Sequence, residues 1–231
     1  MDKPLTLSDA VYLARKLHRE LGFGEKKQTV KYETYSFDKS GMLVSNDASF
    51  TCSYVTPVVK LVQGIADRRK VGVQFFISRD FVNLQGMAIR PGKKNVDVLV
   101  PYGATFCAAR FAYVKELIHQ WDDVYASKDT SARALVRVIE SAMKSLDSET
   151  IYDPLHIENF CFFCALEILL PWGRNGEKRK KLMEYRAEGL PDLVIAQAYR
   201  VPLSVIQFIS QSQYLDYSQK MNEAIALDGS L

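Results

Sequence analysis

Residues 155–170 constrain the fold more than any other segment. They run Leu155-His156-Ile157-Glu158-Asn159-Phe160-Cys161-Phe162-Phe163-Cys164-Ala165-Leu166-Glu167-Ile168-Leu169-Leu170. A helix this apolar on nearly all sides has no face to give to water, so it is predicted to be a buried central helix. No stretch of the chain approaches the roughly 18 apolar residues that a membrane span needs. The rest of the protein is therefore expected to wrap this helix, and 231 residues suffice for a sizeable core in one large domain or one domain with an appendage.

The remaining pattern is mixed. Residues 6–21 place Leu7, Ala10, Val11, Ala14, Leu17 and Leu21 at helical spacing, with Thr6 or Ser8 as a cap and Gly22 at the stop. Residues 28–37 and 49–55 are β-branched and aromatic, and Ser-Gly and Asn-Asp turn signals lie between them. Pro57 opens a short helical pattern that ends at Arg68-Arg69-Lys70. Residues 71–78, 81–89 and 96–101 read as three more strands, so a compact, largely antiparallel sheet is expected before residue 101. Beyond Gly103 helices are expected over 105–121, 130–146, 155–170, 190–199 and 202–213, with a loop at 173–176 and then the basic run Lys178-Arg179-Lys180-Lys181. The fold class is α+β.

Composition excludes little. Apolar residues at 48% and charged residues at 25% are ordinary for a globular chain. A net charge of +3 does not imply nucleic-acid binding unless it is gathered on one face. The first residues lead into an amphipathic segment, so no signal peptide and no membrane association are expected. Four cysteines without a secretory signal suggest reduced thiols and a cytoplasmic location.

Chemistry is concentrated in Arg110-Phe111-Ala112-Tyr113-Val114-Lys115-Glu116-Leu117-Ile118-His119. Glu116 with His119 three residues later forms the second half of His-Glu-x-x-His. In that motif two histidines at i and i+4 share a helix face, and the glutamate activates a metal-bound water. Lys115 occupies the first histidine position. A lysine repels a dication and coordinates only after losing its proton, which requires a pKa depressed by several units. Zinc, the expected cofactor of such a motif, should therefore bind weakly or not at all, with Lys115 paired to Glu116 or Glu158 in the metal's place.

A second motif follows some forty residues later: Glu158, a run of small and apolar residues, then Leu169-Leu170-Pro171. Together the two motifs, over about residues 95–215, resemble the ImmA/IrrE group of zinc-peptidase-like proteins. The glutamate thirteen residues before the proline is that family's third zinc ligand, and Glu158 stands thirteen before Pro171. The resemblance implies a catalytic base at Glu116 and zinc ligands at His119 and Glu158, with Lys115 at the degenerate ligand position and Ile118 replacing a small glycine. It also implies a zincin-like helical core after the leading helix and small sheet, and a closing helix pair of helix-turn-helix type. The corresponding division is a metallopeptidase-like domain over 1–172 and a helical extension over 173–231.

The implied function is regulatory: binding a helix-turn-helix repressor or another regulator without cleaving it. The alternative is an active zinc metalloendopeptidase that cuts a repressor. It needs a histidine at 115 in a parent chain or a substitute ligand such as His156, which shares a face with Glu158 only if the helix starts at Glu158, because i and i+2 lie about 200° apart. A third reading is a DNA-binding regulator that uses Arg174, Lys178, Arg179 and Lys180, although such runs are usually solvated faces. Cys161 and Cys164 are expected to be buried core thiols, His18 a boundary residue, and Trp121 and Trp172 packing anchors.

Overall fold

The computed structural model describes residues 7–40, 42–79, 86–89, 94–121, 155–171, 177–211 and 214. The first helix, α1 (Leu7–Leu21), buries Ala10, Leu13, Ala14 and Leu17, which recur every three or four residues and so form one stripe. Gly22 ends it with φ +57°, a left-handed conformation that suits glycine. A long hairpin follows, β1 (Gly24–Phe37) and β2 (Leu43–Thr56), paired in antiparallel register from Gly24 opposite Thr56 out to Phe37 opposite Leu43.

Both hairpin strands are longer than their apolar pattern predicts. Asp38 tightens the connection: its Oδ1 accepts from the Ser40 N–H at 2.8 Å, the Ser40 hydroxyl at 2.6 Å and the Met42 N–H at 2.9 Å. Asn46 and Asp47, expected in a turn, lie within β2 opposite Thr34 and Glu33. The cross-strand ladder overrides their poor strand preference. Among the described side chains of the hairpin, those buried lie at its base, at Cys52, Tyr54 and Val55, while Met42 and Leu43 near its tip face solvent.

Pro57 stands at the N-cap of α2 (Val58–Arg69), which ends at the expected Arg68-Arg69-Lys70 stretch, with Lys70 in the left-handed region. Next come β3 (Gly72–Ser78), β4 (Met87–Ile89) and β5 (Asn95–Pro101). The expectation of one largely antiparallel sheet needs correction here. The hairpin forms its own two-stranded sheet, and the other three strands form a second with order β3-β5-β4, in which β3 and β5 run parallel and β4 and β5 antiparallel. Strand spacing along the chain does not specify that β5 inserts between β3 and β4. Most of the strand predicted over 81–89 lies outside the described residues.

Val96, Val98 and Val100 of β5 turn inward, the period-2 signature of a half-buried strand. They lie beneath α3 (Phe106–His119), whose Thr105 hydroxyl caps the helix by accepting from the Ala108 N–H at 3.2 Å. The apolar segment forms α4 (Leu155–Leu169), and every side chain from Phe160 to Leu170 is buried. It packs on α1 and α3, so it is the central helix its composition predicts. The helix predicted over 130–146 lies outside the described residues.

The basic run belongs to a helix, α5 (Glu177–Ala187), which sequence patterning missed. Its buried face is Arg179, Leu182 and Tyr185, a stripe that includes a cation and so escapes a search for apolar periodicity. The closing pair is α6 (Asp192–Tyr199) and α7 (Leu203–Ile209), joined through Arg200, Val201 and Pro202. Mixed helices and strands thus agree with the α+β class. No helix among the described residues is long and apolar enough to cross a membrane.

Gly64, in the middle of α2, marks a close approach. A Cβ there falls 2.8 and 2.9 Å from atoms of the Trp121 ring and 3.1 Å from Leu21. Alanine gains roughly 0.8–1 kcal/mol in helix propensity, but overpacking against a buried indole costs about 1–3 kcal/mol. Gly64→Ala is therefore expected to destabilise the fold by about 1 kcal/mol, read as a lower urea midpoint with an unchanged denaturant slope.

Candidate functional site

Residues 114–119, at the end of α3, are all buried. Exposure is 4% at Lys115, 1% at Glu116 and 2% at His119. Lys115 and His119 are four residues apart and share the helix face that meets the first turn of α4, where Glu158 is 4% exposed. Three elements pin this corner: β5 and β4 under α3, and α4 across it. Gly86, just before β4, lets the strand approach α3. A Cβ there falls 3.0 Å from the Ala112 Cβ and 3.6 Å from Glu116 Oε1.

Glu158 is the hub. Its Oε2 accepts from Lys115 Nζ at 2.7 Å, and its Oε1 lies 3.0 Å from His119 Nε2. Lys115 Nζ also stands 2.9 Å from Glu116 Oε1, an ion contact with poor hydrogen-bond alignment, since neighbouring helix positions do not face each other. The ammonium thus bridges the two carboxylates, and the alternatives foreseen for its partner are both realised. Cys161, one turn after Glu158, adds its thiol to the His119 ring. Spacing of three from Glu158 was the available signal for that role; the residue types alone read as core.

Electrostatics follow from this grouping. Burial would lower the Lys115 pKa, but Glu116 and Glu158 overcome it and hold the amine above its ordinary value. That shift is opposite in sign to the one coordination requires. Burial would raise the Glu158 pKa, yet the hydrogen bond with His119 and the Lys115 charge bring it down to about 2. Burial likewise opposes a proton on His119, while Cys161, Glu158 and Glu116 hold its pKa well above the usual imidazole value. Burial pushes the Cys161 thiol up, against the pull of His119.

As placed, these side chains are directed at one another and not at a common point. Zinc needs lone pairs of three or four donors directed at one point, at roughly 2.0–2.3 Å. Here the Glu158 oxygens are turned to the Lys115 ammonium and the His119 imidazole nitrogen. Among the described residues no group of three or more histidine, cysteine or acidic side chains is arranged to hold a metal.

The other sequence candidates are scattered. Arg174, Trp172 and the side chains of His156 and Lys178 lie outside the described residues. Lys180 is exposed, whereas Arg179, expected on a solvated face, is buried. Its Nε donates to the Leu170 carbonyl at 2.8 Å, Nη1 to the Tyr214 hydroxyl at 2.8 Å and Nη2 to Glu167 Oε2 at 2.7 Å, tying α5 to the end of α4. Buried Glu167 draws the arginine inward. His18 is a boundary residue, with Nε2 3.1 Å from the Ile168 carbonyl. Trp121 is buried beneath the Arg68 guanidinium, 4.7 Å from the ring centroid.

Two outcomes follow for stability. Lys115→Met leaves two buried carboxylates without their shared cation and should destabilise the fold by about 3–5 kcal/mol, while Lys115→Met with Glu158→Gln should recover part of that loss. In the parent chain the lowered Glu158 pKa contributes stability that is complete above pH 4.5 and is lost as pH falls toward 2. Its size is about 3 kcal/mol. The raised His119 pKa contributes stability that is complete below pH 6.5 and declines as pH rises through the folded-state value. Urea denaturation across pH 2–8 should therefore place the maximum between pH 4.5 and 6.5 for these two groups.

Comparison of the chain with protein-family models, with curated proteins and with solved structures finds no match.

Proposed function

We propose that this chain is a regulatory binding protein built on a zinc-peptidase-like frame, in which the Lys115 ammonium stands where the metal of such a frame would sit. The observation that carries this reading is the bridge from Lys115 Nζ to Glu158 at 2.7 Å and to Glu116 at 2.9 Å. A carboxylate engaged with an ammonium at that distance is a poor general base, and a protonated amine has no lone pair for a metal. The resemblance of the Lys115–His119 and Glu158–Pro171 motifs to the ImmA/IrrE group supplies the partner class: a helix-turn-helix repressor or a similar regulator, bound and not cleaved.

The zincin-like core and the helix-turn-helix character of α6 and α7 belong to the same proposal. In α7 the exposed positions are Leu203, Ser204 and Gln207. DNA readers place polar and basic side chains at the start of the second helix. With Arg179 withdrawn into the interior, bracing of the core is the better-supported role for this pair.

Elemental analysis of the purified chain beside Lys115→His tests the proposal. The expected result is zinc far below one per chain in the parent and a gain of zinc in Lys115→His, where the lost ligand is restored and the ammonium removed. Stoichiometric zinc in the parent, with repressor cleavage abolished by Glu116→Gln, would establish the peptidase reading instead.

A further inference from the structure

Away from the Lys115 cluster, a cavity of about 290 Å³ opens between the base of the hairpin, the start of α2, the first turns of α3 and the α6–α7 connection. Its walls are aromatic and aliphatic, formed by Tyr54, Phe106, Tyr113 and Val59 among others, and Lys26, Arg110 and Arg200 contribute three cations. Among the described residues no acidic side chain lines it. Phe106 and Val59 are 63% and 78% exposed, an apolar rim that water solvates poorly.

The two arginines play different parts. Arg110 is buried and fully engaged with backbone: Nη1 donates to the Arg200 carbonyl at 2.6 Å and the Tyr199 carbonyl at 3.4 Å, and Nη2 donates to the Val55 carbonyl. It is a positioning residue that fixes the backbone of Arg200, which holds φ 54° at the end of α6. Burial lowers the Arg110 pKa to about 10, so it still carries its charge at neutral pH.

Arg200 is presented to the cavity. Its guanidinium carbon lies 4.3 Å from the Tyr54 ring centroid and 5.2 Å from that of Phe106, and Nε donates to Gln28 Oε1 at 3.0 Å. Among the described residues its two terminal nitrogens have no acceptor and no carboxylate partner. A guanidinium held by ring contacts and by Nε, with its outer edge unanswered, is the geometry that receives a carboxylate in a bidentate pair.

We propose that this cavity binds a small aromatic acid, with its carboxylate on Arg200 and its ring against Tyr54, Phe106 and Tyr113. The volume, at the small end of ligand sites, admits one fused ring system with a head group. The residues are distinct from Lys115, Glu116, His119 and Glu158, so the site stands independently of the regulatory reading above.

Calorimetric titration of the full chain with 2-naphthoate and with uncharged 2-naphthamide tests it. Naphthoate is expected to bind saturably, and naphthamide to bind at least about tenfold more weakly because the charge-assisted pair is lost. Arg200→Met should weaken naphthoate by about tenfold or more. Val59→Glu, a change at an exposed rim position that leaves the core untouched, should weaken it through like-charge repulsion. Equal affinity for naphthoate and naphthamide, retention of parent affinity in both variants, or no saturable binding at millimolar naphthoate would overturn the assignment.

Discussion

A carboxylate taken out of water must be answered by positive charge, and the centre of this protein is organised around that requirement. Glu116 and Glu158 are both buried, and one ammonium, Lys115 Nζ, reaches both within 3 Å. Removing a charge from water costs several kcal/mol, which the pair recovers only when its geometry is close and its remaining acceptors are occupied. His119 completes the set by taking the second Glu158 oxygen. A monocation attached to the backbone thus compensates both carboxylates.

The same physics operates at the other end of α4. Glu167, in its last turn, is buried and bonded to Arg179 of α5, with Arg15 of α1 at 3.9 Å. Two buried glutamates nine residues apart on one apolar helix are thus each answered by cations from other helices. Apolar packing around Phe160 to Leu170 is non-directional and tolerates rotation or sliding, whereas charge pairs at 2.7 Å do not. The aromatic side chains then fill the space so defined, with Phe162, Phe163, Phe208 and Tyr214 in mutual ring contact.

Much of this was legible before any coordinates. The amphipathic stripe of α1, the proline-started α2, the buried character of α4 and the Pro202 break between the closing helices follow from local chemistry: propensity, caps and apolar period. An ion pair of Lys115 with Glu116 or Glu158 was expected because the resemblance of the two motifs set Glu158 against the Lys115–His119 face. Less was legible where partners are distant in sequence. Insertion of β5 between β3 and β4 depends on pairing energies between non-adjacent strands. The burial of Arg179 depends on a glutamate that only packing brings near, and so does the existence of α5 as a helix with a cation on its inner face.

The sequence alone determined the helical register that sets Lys115 and His119 on one face, the apolar content that forces residues 155–170 inside, and the placing of Lys115 and Glu116 side by side in the chain. These are properties of residues within one or two helical turns of each other. Tertiary structure alone decided that the ammonium bridges both carboxylates, that Cys161 joins His119, that Arg179 is buried against Glu167, and that Arg200 stands at an aromatic cavity. Each of these depends on side chains from separate elements meeting at hydrogen-bond or ring-contact distance, which no local pattern encodes.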